Sequence, residues 1–162
     1  MYKLGEEMVI REQPNRWSCT IAAVGTVLDM DVSTLIEVIA HDGSEIMFED
    51  LPEPLCRRAF NLQEIGFALW KLGYNFIGFD VEPLAIIDEE HIYTLTYPDV
   101  EERFKNLMAE TIGIGCGRII NTQKTHAFAW NGEKAYDPTG FVYPLSRYEL
   151  YSYHVISKRE MS

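Results

Sequence analysis

The chain has 162 residues, of which 47% are hydrophobic and 24% charged, a balance that predicts one folded domain over residues 1–162 and not a disordered chain. Its formal charge of −11 argues against a nucleic-acid partner, because non-specific binding needs a basic surface to displace counterions, and it leaves room for a basic peptide or protein partner. No apolar run reaches the ~18 residues that a membrane helix requires, and the opening MYKLGEEMVIREQ carries acids and lacks an apolar core, so neither a membrane span nor a secretory signal is expected. A cytoplasmic location follows as the expectation.

In chain order, the first element predicted is a helix over residues 19–30. Ile21, Ala22, Val24, Val27, Leu28 and Met30 make it apolar on almost every side, the pattern of a helix inside a core. Asp31 ends it, and Ser33 is the expected N-cap of a second helix carrying Leu35, Ile36, Val38 and Ile39. Residues 42–60, with Gly43, Pro52 and Pro54 among acids, read as loop with a short helix near Leu55 to Phe60. Asn61 then caps a helix from Leu62 to Leu72, with Glu64 completing a capping box and Gly73 stopping it. A strand follows from Asn75 to Val81, and short strands fit both Ala85 to Ile87 and Ile92 to Thr96. Pro98 to Met108 reads as a helix with acids in its first turn.

The last third changes character. Gly117 to Thr122, His126 to Asn131 and Glu133 to Tyr136 carry β-branched and aromatic residues, and the Asn131-Gly132 pair between the last two is a hairpin signal. Phe141 to Tyr143 and Tyr151 to Ile156 add strands. Helices in front and an antiparallel sheet behind predict an α+β fold. "GIGCG", residues 113–117, lacks the order of a phosphate-binding loop and reads as a turn into a strand. In "DEEHIY", residues 88–93, the consecutive Asp88, Glu89, Glu90 and His91 cannot all face one cation, so a solvated acidic loop is expected.

The chemistry is carried by four residues. Cys19, Cys56 and Cys116 are odd in number, widely spaced and without a CxxC pair, so neither a disulfide framework nor a zinc site is expected, and no cofactor. Cys56 and Cys116 read as packing residues. Cys19 opens the first helix, where the positive end of the helix dipole favours a thiolate. A nucleophilic thiol also needs a base, and the base needs an orienting partner. His126 and Asp137 stand at equal distances on either side of Asn131-Gly132, so a hairpin brings them together at its open end, with Asp137 placed to orient His126. The free N–H of Cys19 and the amide of Gln13 on the lead-in loop are candidate donors to an oxyanion.

Gln13, then Cys19 six residues on at a helix start, then "HAFAWNGEKAYDP", resemble the papain-like cysteine peptidases. The likeness is to the bacterial branch that processes double-glycine leader peptides and to its compact relatives in bacteria and bacteriophages. "NLQEIGFALWKLGYNF", residues 61–76, looks like the helix and strand of those domains. The resemblance implies a helical half and an antiparallel sheet half with a cleft between them. It also implies Cys19 as nucleophile, His126 as general base and acid, Asp137 as orienter and Gln13 in the oxyanion hole. The expected function is a cysteine hydrolase cutting a peptide or amide bond, with a peptide or protein substrate. Thr20 departs from the family pattern, which has glycine after the cysteine. It keeps open an inactive binding or inhibitory protein on the same scaffold, and a deamidase or transglutaminase would use the same residues.

Overall fold

The computed structural model describes residues 1–81, 84–86, 91–94 and 98–160. It is an α+β architecture: four helices, an antiparallel six-stranded sheet and a separate two-stranded ribbon among the described residues. The helices are α1 (Cys19–Leu28), α2 (Val32–Ile39), α3 (Leu62–Lys71) and α4 (Val100–Ala109). The strands are β1 (Tyr74–Asp80), β2 (Leu84–Ile86), β3 (Ile92–Thr94), β4 (Gly113–Ile119), β5 (Thr125–Trp130), β6 (Ala135–Asp137), β7 (Phe141–Tyr143) and β8 (Tyr148–Lys158). The large sheet runs β1-β8-β4-β5-β6-β7, and β2 pairs with β3.

The two-residue period of a strand sorts the core. On β5, Ala127 and Ala129 face α1 and join Ile21, Val24, Val27, Leu35, Ile65 and Leu69 from the first three helices. Phe128 and Trp130 face the other way and pack with Phe104 and Met108 of α4 and with Tyr148 and Tyr153 of β8. The sheet is therefore covered on both faces, and the small alanines let α1 lie close against β5. Residues 21–28 of α1 are all buried, as its all-round apolar sequence predicts.

The capping box on α3 forms as expected: Glu64 N donates to Asn61 Oδ1 at 2.7 Å, and Asn61 N donates to Glu64 Oε2 at 3.2 Å. Gly73 ends that helix with φ +92°, a conformation glycine adopts without a Cβ clash.

Several expectations need correction. Asp31, not Ser33, is the N-cap of α2, and its side chain makes no capping bond. Its carboxylate is held by Arg11, which also bonds Asp29, and this pins the tight corner between α1 and α2. No helix forms from Leu55 to Phe60. The donors there reach back instead, Arg58 N to Glu45 O at 2.7 Å and Ala59 N to Gly43 O at 2.9 Å, so residues 43–59 fold as a closed arm.

"GIGCG" is not a turn but the body of β4, between β8 and β5. Its glycines permit close approach: a Cβ on Gly113 would lie 2.0 Å from His154 O, and one on Gly117 2.3 Å from Glu149 O. The β5–β6 connection is also longer than two residues. Asn131 Oδ1 accepts from Glu133 N and Lys134 N at 2.9 and 2.8 Å, and β6 begins only at Ala135. Helix α4 starts two residues beyond Pro98. The ribbon β2–β3 matches the short strands expected there, while Ile87, residues 95–96 and the acids Asp88, Glu89 and Glu90 lie outside the described residues.

Candidate active site

Cys19 is the first residue of α1. The loop before it is folded by Asn15, whose Oδ1 accepts from Trp17 N at 3.2 Å and Ser18 Oγ at 2.5 Å. Ser18 is fully buried, and its carbonyl accepts from Ala22 N at 3.0 Å to start the helix. The side chain of Cys19 thus leaves the helix N-terminus half-buried, at the edge where α1 meets β5.

On β5, His126 is 6% exposed, and on β6, Asp137 is 1% exposed. Their rings and carboxylate meet as the hairpin argument requires, with His126 Nε2 2.8 Å from Asp137 Oδ1. A carboxylate only accepts, so Nε2 carries the hydrogen and Nδ1 is the ring nitrogen left for the thiol. Cys19 Sγ lies 3.9 Å from the Thr20 hydroxyl oxygen, and the thiol is close enough to His126 and to the Ala127 N–H for both to favour its charged form.

Asp137 is held more firmly than the sequence indicates. Its Oδ1 also accepts from Thr139 N at 2.9 Å and Thr139 Oγ1 at 2.6 Å, and its Oδ2 accepts from Tyr148 OH at 2.6 Å. Thr139 belongs to the turn Asp137-Pro138-Thr139-Gly140, closed by Gly140 N to Asp137 O at 2.9 Å. "DPTG" is a legible turn of the kind an aspartate builds on its own backbone. Tyr148 carries no such local signal: it comes from β8 and is held by stacking on Phe128, ring centroids 4.2 Å apart.

The electrostatics follow from these contacts. Burial opposes the charge on Asp137, but the bonds from His126, Thr139 and Tyr148 outweigh it and hold the carboxyl well below its usual range. Burial would also keep His126 neutral. Asp137 and the Cys19 sulfur overcome it, and the imidazole is raised to about 9. For Cys19, burial raises the thiol, yet His126, Ala127 N–H and Thr20 bring it below its ordinary value. Both shifts run in the direction of a thiolate–imidazolium pair. Tyr148 is pushed up by burial and by the Asp137 charge, so it stays a donor.

Gln13 lies in the same cleft. Its backbone N–H donates to Pro138 O at 3.0 Å, tying the lead-in loop to the turn after Asp137. Its side-chain Nε2 donates one hydrogen to Asn15 O at 2.9 Å, which leaves a second, and its Oε1 is buried without a donor among the described residues.

Two hollows flank the thiol. One, of about 330 Å³, is lined by Gln13, Arg16, Cys19, Pro54, Leu55 and His126 together with residues 123–125. The other, of about 180 Å³, is lined by Thr20, Cys116, Gly117 and Tyr151 with Cys19, Thr125, His126 and Ala127. All four residues expected at the site therefore border one open groove or stand directly behind it, and Thr20 forms part of its wall. Cys56 is buried in the 43–59 arm. Cys116 is half-buried across the smaller hollow, where burial pushes its thiol up to about 11 despite the opposing influence of Ser152. His41 pairs with Glu64, Nε2 to Oε1 at 2.8 Å, and His154 stacks on Phe76, so neither serves the groove.

Comparison with protein-family models, with curated proteins and with solved structures gave no match. Among the described residues no single helix is long and apolar enough to cross a membrane, and no group of three or more His, Cys, Asp or Glu side chains is placed to hold a metal ion.

Proposed function

We propose that this protein is a cysteine hydrolase of papain-like type acting on a peptide or amide bond. The observation that carries the reading is His126, shared between the Cys19 thiol and the buried Asp137 beside an open groove. The order of parts supports it too: a thiol on the first helix, a sheet later in the chain, and a histidine and aspartate on adjacent strands.

In this mechanism the Cys19 thiolate attacks the substrate carbonyl carbon. A C–S bond forms, and the carbonyl electron pair moves onto oxygen. The Cys19 N–H, which has no intrahelical acceptor as the first residue of α1, and the second hydrogen of Gln13 Nε2 donate to that oxygen. His126 gives its Nδ1 proton to the leaving nitrogen as the C–N bond breaks. Water then attacks the thioester, His126 takes its proton, and the C–S bond breaks to restore thiolate and imidazolium. Asp137 keeps the Nε2 hydrogen in place throughout and stabilises the ring's positive charge. An amine in place of water would make the same device a transferase, and a glutamine side chain as substrate would make it a deamidase.

The test is alkylation by iodoacetamide at pH 6, with the labelled cysteine read by peptide mass spectrometry. Cys19 is expected to react well ahead of Cys56 and Cys116, and a peptidyl epoxide should trap it covalently. Equal labelling of all three thiols would remove the nucleophile from the proposal and favour an inactive binding scaffold.

A further inference from the structure

The chain carries 25 Asp and Glu against 14 Lys and Arg, yet the groove beside Cys19 has the opposite sign. None of the described residues lining either hollow is an aspartate or glutamate, and the larger one is lined by two cations, Arg16 and Lys124. Their backbones are placed independently, Arg16 on the lead-in loop to α1 and Lys124 on the turn between β4 and β5. Both side chains are exposed, and among the described residues neither makes a hydrogen bond or ion pair. Glu53 is within charge range of Arg16, but its two oxygens are already taken by Arg57, at 2.6 to 3.1 Å. Residues 42–60 contribute Pro54 and Leu55 to this wall and not their acids. Leu55 is 63% exposed there.

We propose that Arg16 and Lys124 make this end of the groove a subsite for a carboxylate, so that the substrate is an acidic peptide segment with its Asp or Glu close to the bond Cys19 attacks. The inference rests on the hydrolase reading for the word substrate, while the anion preference of the groove stands on the charge distribution alone. It reverses the basic preference suggested by the net charge. The physical reason is range: screening confines a charge's influence to ~8–10 Å at physiological salt. A ligand in the groove therefore meets the two local cations and the Glu53–Arg57 pair, whose charges offset each other, more strongly than the acidic remainder of the surface. Two unpaired cations in a concave wall attract an anion more strongly than the same charges on a flat one.

Methanethiosulfonate reagents of similar size but different charge test this on the full chain carrying Cys56→Ser and Cys116→Ser, so that only Cys19 reports. The anionic sulfonatoethyl reagent is expected to outpace the cationic trimethylammonioethyl reagent by on the order of tenfold more than with a small free thiol, a ratio that falls with added salt. The pair Arg16→Ala/Lys124→Ala should lower the ratio severalfold, and Arg16→Glu/Lys124→Glu should invert it. Lys71→Ala/Lys105→Ala, which changes net charge equally away from the groove, should leave it unchanged. A short polyglutamate peptide should slow labelling by the neutral methyl reagent. Polylysine at the same concentration should not, and the Arg16/Lys124 variants should lose the protection. A ratio unmoved by the groove variants, one moved equally by the control pair, or equal protection by both peptides would overturn the subsite. The failure of the hydrolase reading looks different: the neutral reagent would label Cys19 in the unsubstituted chain no faster than Cys56 or Cys116, whatever the charge ratio.

Discussion

His126→Ala removes the imidazole at the thiol, and its effect can be gauged from inside the same groove. Cys116 sits across the smaller hollow with a hydroxyl partner, Ser152, and no imidazole bonded to it, and burial raises it to about 11. Cys19 is also opposed by burial but lies below its ordinary value, with His126 the strongest influence bringing it down. Without His126 the thiol should move towards the Cys116 value and past the ordinary ~8.5 of a free cysteine. A thiol at or above ~8.5 is at most roughly 0.3% ionised at pH 6. Each unit of rise removes about tenfold of the thiolate and returns about threefold in intrinsic nucleophilicity, a net loss of about three- to fourfold per unit. Over the two units or more that separate a depressed thiol from a Cys116-like one, alkylation at pH 6 should slow by at least about tenfold. Ultraviolet absorbance of the thiolate, followed against pH in protein lacking Cys56 and Cys116, gives the titration directly. If His126→Ala titrates and labels like the unsubstituted protein, the thiolate–imidazolium pair does not exist and the mechanism fails.

Three further outcomes follow from particular contacts. Asp137→Asn should lower His126 from about 9 towards the ordinary imidazole value, read by NMR titration of the ring, and should pull in the alkaline limit of fast Cys19 labelling. The same pair sets a pH window for stability. The raised His126 contributes fully below ~6.5 and its contribution is lost as pH climbs through its folded value, a loss opposed by the gain from the depressed Cys19, whereas the depressed Asp137 contributes above ~3.9 and its contribution is lost as pH falls; stability to thermal unfolding should therefore weaken at the acid end, and a flat profile there would contradict the held carboxylate. Tyr148→Phe leaves Asp137 Oδ2 without its donor at 2.6 Å and should cost about 1.5–3 kcal/mol, the range for a hydrogen bond to a charged group, seen as a lower urea midpoint at unchanged slope. Gly113→Ala places a Cβ 2.0 Å from the backbone oxygen of His154, so β4 and β8 must part, and a loss of about 3 kcal/mol or more is expected; an unchanged midpoint would mean that the two strands do not pack as described.

Much of the site was legible because its logic is local in sequence. The helix start at Cys19 is written in a polar-to-apolar boundary. The meeting of His126 and Asp137 is written in their symmetry about Asn131-Gly132, even though the turn proved longer than two residues, because what matters is that both strands belong to one hairpin. The α3 capping box is similarly a three-residue signal. The misreadings share a cause as well. Ser33 suits a cap by residue type, but the first bonds of α2 run from Thr34 N and Leu35 N to Asp31 O, and "GIGCG" reads as a turn because glycine marks both turns and close approach. Only the neighbouring strands tell the two apart.

What the sequence by itself determined is the helix-then-sheet order, the α+β class and the four residues gathered at the groove. These rest on periodicity, capping and hairpin geometry, which act over a few residues. What the tertiary structure alone decided is how those residues are tuned. Tyr148 reaches Asp137 from β8, which lies two strands from β5 in the sheet. The Ala127 N–H comes close enough to favour the thiolate because β5 lies against α1. Arg16 and Lys124, more than a hundred residues apart, converge on one wall of a groove in an otherwise acidic chain. Charge and hydrogen bonding fall off with distance in space and are indifferent to distance along the chain, so the local sign of the groove could not be read from the net charge of the sequence.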